Sequence, residues 1–574
     1  MTSNTPFGDQ PGQPSAGGPG QAPGYPPPDH IQSGYTRPDE IQSGPGGSSV
    51  WSPGGGETIE SSSAAPGGSR RAFIPWVIGL AVVLVLGTGA VAVRAALGED
   101  AGGPADALPG SALVFARVDV DPSADQKVQA LRLANRFPGF ADATGLTDPE
   151  MDLRLSLFDA IREHSPAADI DFGRDVEPWL GSSFGVAMFA PADGETVPGV
   201  ALAVEVTDQS AAEEGLAKLL ALGSGEGAAA YSFSGSYALF ATTQELADGY
   251  AADAAESPLS ANEQFQADMA SLGDEGVASA WVSADAYDAL SEAAVGLGGM
   301  AGGMVPGLGA GLGAGLGVSG GAPALQTGSM AYALRFEERY VEVAMVGSGG
   351  ELPAASSDSE SPIAQLPEST LFAASVADGG AYVQQSLDQM AAAAEQTGMN
   401  FERELRRFEK ETGLTVPDDF VTLLGEHFTF AVDSDLGGLD TPTELRVGAL
   451  LDTDAAAAQT IIDKIVAAAG GGIELASVES DGLLAVGPNE AYATELAGGS
   501  LGESSSFDLA VAYGADSDMA FYLNVDELET LDQFASEADA EVLENIATLQ
   551  AVGFSMELTG DGDSRGSLRV TVDE

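Results

Sequence analysis

The sequence predicts an α+β protein: one N-terminal transmembrane helix, then two tandem related copies of an antiparallel sheet with helices packed on it. Three observations predict this. A run of 21 uncharged residues, Phe73–Val93, is bounded by Arg70, Arg71 and Arg94. Beyond it, short alternating apolar runs recur between helical periods, the pattern of strands and helices sharing one core. Several segments of that body then reappear, in the same order, further along.

In residues 1–72 Pro, Gly, Ser and Gln dominate. Apolar residues there are too sparse to offset ordering entropy, so a disordered cytoplasmic tail is expected. The tail repeats PDHIQSG (Pro28–Gly34) as PDEIQSG (Pro38–Gly44). The repeat reads either as a docking motif for a cytoplasmic partner or as replication slippage in an unconstrained segment. Glu57-Thr58-Ile59-Glu60 is a candidate phosphorylation site, where a phosphate would add charge and acceptor oxygens.

Phe73–Val93 as a helix, at about 1.5 Å per residue, spans roughly 31 Å, one hydrocarbon core. In lipid its backbone groups must be satisfied within the segment, which demands a helix. Pro75 falls in the first turn, where a missing N–H costs little, and Trp76 sits at headgroup depth. Gly79 and Gly87 flank Val83 rather than a small residue, so a monomeric anchor is expected. Two arginines precede the run; one follows, and then Glu99 and Asp100. That bias puts the N-terminus in the cytoplasm and the body outside, in the cell membrane as a single-pass protein. Ala90-Val91-Ala92 offers small residues for cleavage, but a secretory signal begins much nearer the start. The span with its flank covers 73–97, and a linker covers 98–107.

Charge sits in the body. The chain has 86 Asp+Glu against 22 Lys+Arg, a net charge of −64. Such a surface repels nucleic acid and anionic headgroups, which excludes a nucleic-acid role. The excess reads as solubilising charge on a composition rich in small residues, or as adaptation to salt. With no cysteine there is no disulfide, thiolate nucleophile or Cys-type zinc site. A body this long buries an ordinary core without staples.

The body divides into repeat 1 (108–346), an acidic Ser-rich linker (347–365) and repeat 2 (366–574). Leu108-Pro109-Gly110-Ser111-Ala112-Leu113 reappears as Leu366-Pro367-Glu368-Ser369-Thr370-Leu371. WLGSSFGVAMF from Trp179 matches LLGEHFTFAV from Leu423. A helix follows each, with Lys218 and Lys464 ten residues after Asp208 and Asp454. Trp281-Val282-Ser283-Ala284-Asp285 matches Tyr522-Leu523-Asn524-Val525-Asp526, and each copy ends in a hairpin. SFGVAMFA, GVALAVEV, YVEVAMV and TELRVGALL read as strands; SAAEEGLAKLLALG and the Ala-rich run after Asp454 read as helices. Helices are expected on one face of each sheet. Ala381–Thr412 reads as one longer helical stretch. Its Arg403, Arg406, Arg407 and Lys410 share a face, and interleaved Glu402, Glu404 and Glu409 make a solvated, salt-bridged helix the expectation over an anion-binding face.

DFGRDVEPWLGSSFGVAMF (Asp171–Phe189), VPGVALAVEVTDQSAAEEGLAKLL (Val197–Leu220) and SPLSANEQFQADMASLGDEGVASAWVSADAY (Ser257–Tyr287) carry a resemblance. The chain resembles the bacterial envelope family known as domain of unknown function 3352. The resemblance covers most of the body, best in repeat 1. It implies a membrane anchor near the N-terminus and an actinobacterial origin. It brings no catalytic motif.

Candidate chemistry is thin. His30, His164 and His427 occupy unrelated places, so a histidine–carboxylate zinc site is not expected. Gly181-Ser182-Ser183-Phe184-Gly185 fits G-x-S-x-G, but a strand follows it, and a nucleophile elbow needs a helix there. Asp433, Asp435 and Glu444 fit the spacing of a calcium loop. Pro442, Asp440 and the flanking strands favour a plain hairpin loop. Asp561–Gly566 reads as a turn. The insertion 296–323, rich in Gly and free of charge, reads as a flexible apolar loop rather than a packing ladder.

No catalytic residue, cofactor or enzyme assignment follows. The expected role is a binding or scaffold module outside the membrane, engaging an envelope protein or ligand, with a cleft between the copies as the natural site. A carboxylate-dependent envelope hydrolase and a sensor signalling through the tail are the alternatives.

Overall fold

The computed structural model describes residues 103–573 except 121–123, 135, 137–153, 156–157, 159–169, 193–196, 223–229, 287–288, 290–327, 351–359, 398–399, 437–440, 471–473, 497, 530–546 and 560–561. The tail, the run Phe73–Val93 and the Gly-rich insertion lie outside the described residues. Among the described residues no helix is long and apolar enough to cross a membrane.

An α+β architecture with one large antiparallel sheet results. The first eight strands are β1 (Val114–Asp119), β2 (Leu180–Phe189), β3 (Gly199–Val206), β4 (Ala230–Ser234), β5 (Tyr237–Ala241), β6 (Ala278–Val282), β7 (Ser329–Phe336) and β8 (Tyr340–Ser348). The next eight are β9 (Thr370–Ala377), β10 (His427–Asp433), β11 (Val447–Asp452), β12 (Ala476–Ser480), β13 (Leu483–Gly487), β14 (Met519–Asn524), β15 (Leu549–Leu558) and β16 (Ser564–Val572). From edge to centre the first half runs β4-β5-β3-β2-β1-β6-β7-β8, and the second runs β12-β13-β11-β10-β9-β14-β15-β16. Each strand of the second half thus holds the place of the strand eight before it. The halves meet where β8 pairs with β16, Val343 opposite Leu568 and Tyr340 opposite Thr571.

The helices of the first half are α1 (Pro104–Ala107), α2 (Ala124–Ala134), α3 (Gln209–Leu222), α4 (Gln244–Glu256) and α5 (Glu263–Leu272). Those of the second are α6 (Gly379–Thr397), α7 (Phe401–Thr412), α8 (Asp418–Leu424), α9 (Ala455–Ala468), α10 (Glu490–Leu496), α11 (Ser505–Ala510) and α12 (Val525–Glu529). Successive strand residues point to opposite faces. On β3, Ala201 and Ala203 join Phe265 and Met269 of α5, while Leu202, Val204 and Val206 join Ala212 and Leu216 of α3. The second half repeats this, Leu450 packing with Phe507 and Tyr522, and Leu451 with Ala458 and Ile462. Helices therefore cover both faces of the sheet, not one as expected. GVALAVEV is apolar at consecutive positions, as burial on two sides requires.

Local chemistry sets the element ends. Asp208 Oδ1 accepts from the Ala211 amide at 3.0 Å and Asp454 Oδ1 from Ala457 at 2.9 Å, capping the two matched helices, α3 and α9. The stretch read as one helix from Ala381 to Thr412 is two. Asn400 Oδ1 accepts from the Arg403 amide at 2.9 Å and starts α7 afresh. Pro442–Glu444 forms a 3-10 turn, and β11 begins only at Val447. Gly347 and Ser348 belong to β8, and Pro362–Gln365 makes a 3-10 turn before Leu366. Gly215 lets α3 lie against Trp179: a Cβ there would come within 2.3 Å of the indole nitrogen.

Candidate functional site

Asp433 ends β10 with its side chain only 1% exposed. Its Oδ2 accepts from Ser369 Oγ at 2.6 Å and from Arg446 Nη2 at 3.0 Å, and its Oδ1 from the Asp435 amide at 2.9 Å. Arg446 also donates to Glu495 Oε2 at 2.5 Å and lies over the Tyr492 ring at 4.8 Å. Hydrogen bonds to Asp433 and Glu495 hold its guanidinium above the ordinary value. Glu444 is exposed and closes the 3-10 turn. Of the three calcium-loop residues, Asp435 donates its amide to the Asp433 carboxylate, and it is the Arg446 guanidinium that sits on the same carboxylate. The loop joins two paired strands, β10 and β11, and its positions 437–440 lie outside the described residues. Among the described residues no group of three or more His, Cys, Asp or Glu is gathered to hold a metal.

The G-x-S-x-G segment lies within β2. The Ser182 and Ser183 amides both donate to Glu205 Oε2 at 2.9 Å, where the β2–β3 register shifts between Leu180 and Phe184. The glycine–serine run thus serves a bulge clasped by a carboxylate of β3. His427 is buried at the start of β10; His30 and His164 lie outside the described residues.

Buried carboxylates elsewhere are committed to donors. Asp175 accepts from Arg174 and Lys218, and these bonds hold it well below the usual carboxylate range. Burial by itself would raise Glu342, but a Ser567 hydrogen bond and the Arg569 and Arg335 charges outweigh it, leaving the carboxyl lowered. Asp268 accepts from Trp281 Nε1 at 2.8 Å and from Gln264 at 2.9 Å. A carboxylate held ionised by cations is a poor general acid.

The second half also carries an open apolar pocket. α6, α7 and α8 cap β9 and leave a pocket of about 390 Å³ between them, within the range of small-molecule sites. Glycines start it: a Cβ on Gly379 would lie 2.8 Å from Leu424 Cβ, and one on Gly380 2.8 Å from Val421 Cγ1, so α6 begins directly against α8. Val383, Leu387, Leu405, Phe408 and Phe420 form the walls over Val376 of β9. The Phe408 and Phe420 rings lie 6.4 Å apart at 30°. At the rim Phe408 and Val421 are 40% and 41% exposed, and Met390, one turn beyond Leu387, is 55% exposed.

Two hydroxyls reach the pocket. Tyr382 OH bonds only weakly to the Met519 thioether at 3.7 Å. Burial, helped by Asp518 and Asp378, pushes its pKa up to about 12, so it stays protonated. Ser386 is exposed at the mouth. The far side of α7 is the salt-bridged face expected from sequence, Arg406 to Glu402 at 3.2 Å and Arg407 to Glu411 at 2.9 Å. The pocket lies inside the second half, whereas the sequence reading looked to a cleft between the copies.

Sheet and helices together define an α+β protein with an open apolar pocket in its second half. The family described as Protein of unknown function (DUF3352) matches residues 77–232, so over that stretch the chain is similar to the family that the sequence resembles. The match begins near the start of the apolar run and ends within β4, a shorter stretch than the resemblance suggested. No curated protein and no solved structure matches the chain.

Proposed function

We propose that the protein is a single-pass component of a cell envelope, of actinobacterial type, whose acidic body lies outside the membrane and binds a ligand. Phe73–Val93 crosses once, and the tail 1–72 stays in the cytoplasm. The pocket beneath α6, α7 and α8 is the observation that carries the binding role. The topology is supported by the uncharged run, by Arg70 and Arg71 before it, and by a family match that begins at residue 77, inside the run. The body is read as two tandem copies, supported by the strand order of the second half following that of the first. Protease added to intact cells should remove the body and leave a membrane-protected fragment of the tail and span. A body digested only after permeabilisation would refute the topology.

A further inference from the structure

The seam between the halves has a two-fold register. Trp281 pairs with Ala331 and Ala331 with Val346; in the second half Tyr522 pairs with Gly553 and Gly553 with Arg569. Trp281 of β6 and Tyr522 of β14 hold the same place in the two strand orders. Val346 of β8 therefore corresponds to Arg569 of β16, Ala344 to Ser567 and Glu342 to Arg565. Across the seam Glu342 faces Arg569, Ala344 faces Ser567 and Val346 faces Arg565. Each half thus offers the same strand to the other, antiparallel, about an axis through the Ala344–Ser567 pair. Two identical chains dimerise most often through a contact of this symmetry. Backbone geometry alone would let β8 pair with β8, or β16 with β16, in the same register. A chain has one of each, so either pairing needs a second copy.

We propose that Glu342 and Arg569 decide between these pairings: they hold β8 on the β16 of its own chain and deny both strands to a second copy of this chain. The inference goes beyond the binding role and rests on the strand registers. Glu342 Oε1 accepts from Arg569 Nε at 3.0 Å and from Ser567 Oγ at 2.7 Å, both on β16, and the Glu342 side chain is 9% exposed. Arg335, from its own half, donates to Oε2 at 3.3 Å. Arg569 also lies over the Tyr340 ring of β8 at 4.5 Å. A β8–β8 contact would set Glu342 against Val346 and strip it of both β16 donors, and a buried charge that loses its partners is costly. A β16–β16 contact would set Arg565 opposite Arg569 twice, and like charges directly opposite destabilise a strand pair. The mixed pairing sets acid opposite base. It is specified as much by the penalties on the alternatives as by its own contact.

The test uses the full chain in detergent solution. The chain has no cysteine, and Ser567 is buried, so Ser567→Cys crosslinks two chains where β16 meets β16 and not by chance collision. Under mild oxidation Ser567→Cys alone should give no dimer on a non-reducing gel. Adding Arg569→Glu sets two acids face to face within the chain and puts the new carboxylate opposite Arg565 of a second copy, twice. Crosslinked dimer should then rise about tenfold or more. Adding Glu342→Arg as well restores an opposite-charge pair within the chain and should bring the crosslink back down. Arg569→Leu, which removes the charge without inverting it, should fall between Ser567→Cys alone and Arg569→Glu. Equal crosslinking in all four chains, or a rise that Glu342→Arg fails to reverse, would overturn the proposal. Should Arg569→Glu unfold the body, adding Glu342→Arg should recover the starting melting temperature, and no recovery would overturn the proposal too. These readouts involve no ligand and no membrane side, so failure here is distinct from failure of the binding role or of the topology.

Discussion

Trp281 Nε1 donates to Asp268 Oδ2 at 2.8 Å, with both side chains buried. The same indole meets Phe265 edge-on, ring centroids 5.5 Å apart at 86°. In the second half Phe507 meets Tyr522 in like manner, at 5.3 Å and 65°, and the Tyr522 hydroxyl bonds Ser506 at 2.8 Å. A buried polar partner left without its donor costs about 1–3 kcal/mol, and a single neutral hydrogen bond about 1 kcal/mol. Trp281→Phe should therefore cost about 2 kcal/mol or more, and Tyr522→Phe about 1 kcal/mol. Urea denaturation checks both, as a lower midpoint with unchanged slope.

Lys218 Nζ lies 2.8 Å from Asp175 Oδ1, and Lys464 Nζ lies 2.7 Å from Asp419 Oδ2. Hydrogen bonds from Arg174 and Lys218 lower Asp175, and one from Lys464 lowers Asp419. A carboxyl lowered in the folded state stabilises fully above its unfolded value, about 3.9 for aspartate, and loses that contribution as pH falls through the folded value. The wild type should lose stability progressively below about pH 4. The double variant Asp175→Asn, Asp419→Asn should be less stable at neutral pH and should lose less between pH 4 and pH 2. Thermal melts across that range check it; parallel curves would contradict it.

A net charge of −64 makes the folded body repel itself, and salt screens this over about 10 Å at 0.1 M and 3 Å at 1 M. The melting temperature should rise with NaCl from low salt to about 1 M. A flat response would mean that the acids lie too far apart to interact.

Gly215 and Gly249 both lie in helices and should respond in opposite ways. A Cβ on Gly215 would come 2.3 Å from Trp179 Nε1 and 2.4 Å from the Asp175 carbonyl oxygen, whereas one on Gly249 would have nothing within 4 Å. Gly215→Ala should destabilise by about 1–3 kcal/mol through overpacking. Gly249→Ala should stabilise by up to about 1 kcal/mol through helix propensity. Two changes of the same sign would contradict the close packing of α3 on Trp179.

What the sequence made legible was local. The caps at Asp208 and Asp454, the closing hairpins and the Trp281–Tyr522 match each sit within a few residues of a readable signal. The ten-residue spacing of Lys218 and Lys464 was visible, but their partners Asp175 and Asp419 lie more than 40 positions back. The pairing of β8 with β16 leaves no local trace, because hydrogen bonds between distant strands are not written in either strand alone. Burial on both faces was written in the consecutive apolar residues of GVALAVEV, which a reading for alternation passes over. The D-x-D spacing at Asp433 revealed nothing of Arg446, which reaches it across the β10–β11 hairpin. The pocket escaped for a similar reason: it depends on how closely Gly379 and Gly380 admit α8, a matter of tertiary approach.

The most direct test of an outward-facing body exploits the lack of native cysteine. Ala267→Cys, exposed on α5, and Ser15→Cys, in the tail, would each carry a single thiol for a membrane-impermeant maleimide. On intact cells Ala267→Cys should be labelled, while Ser15→Cys should react only after permeabilisation. The reverse pattern would contradict the account.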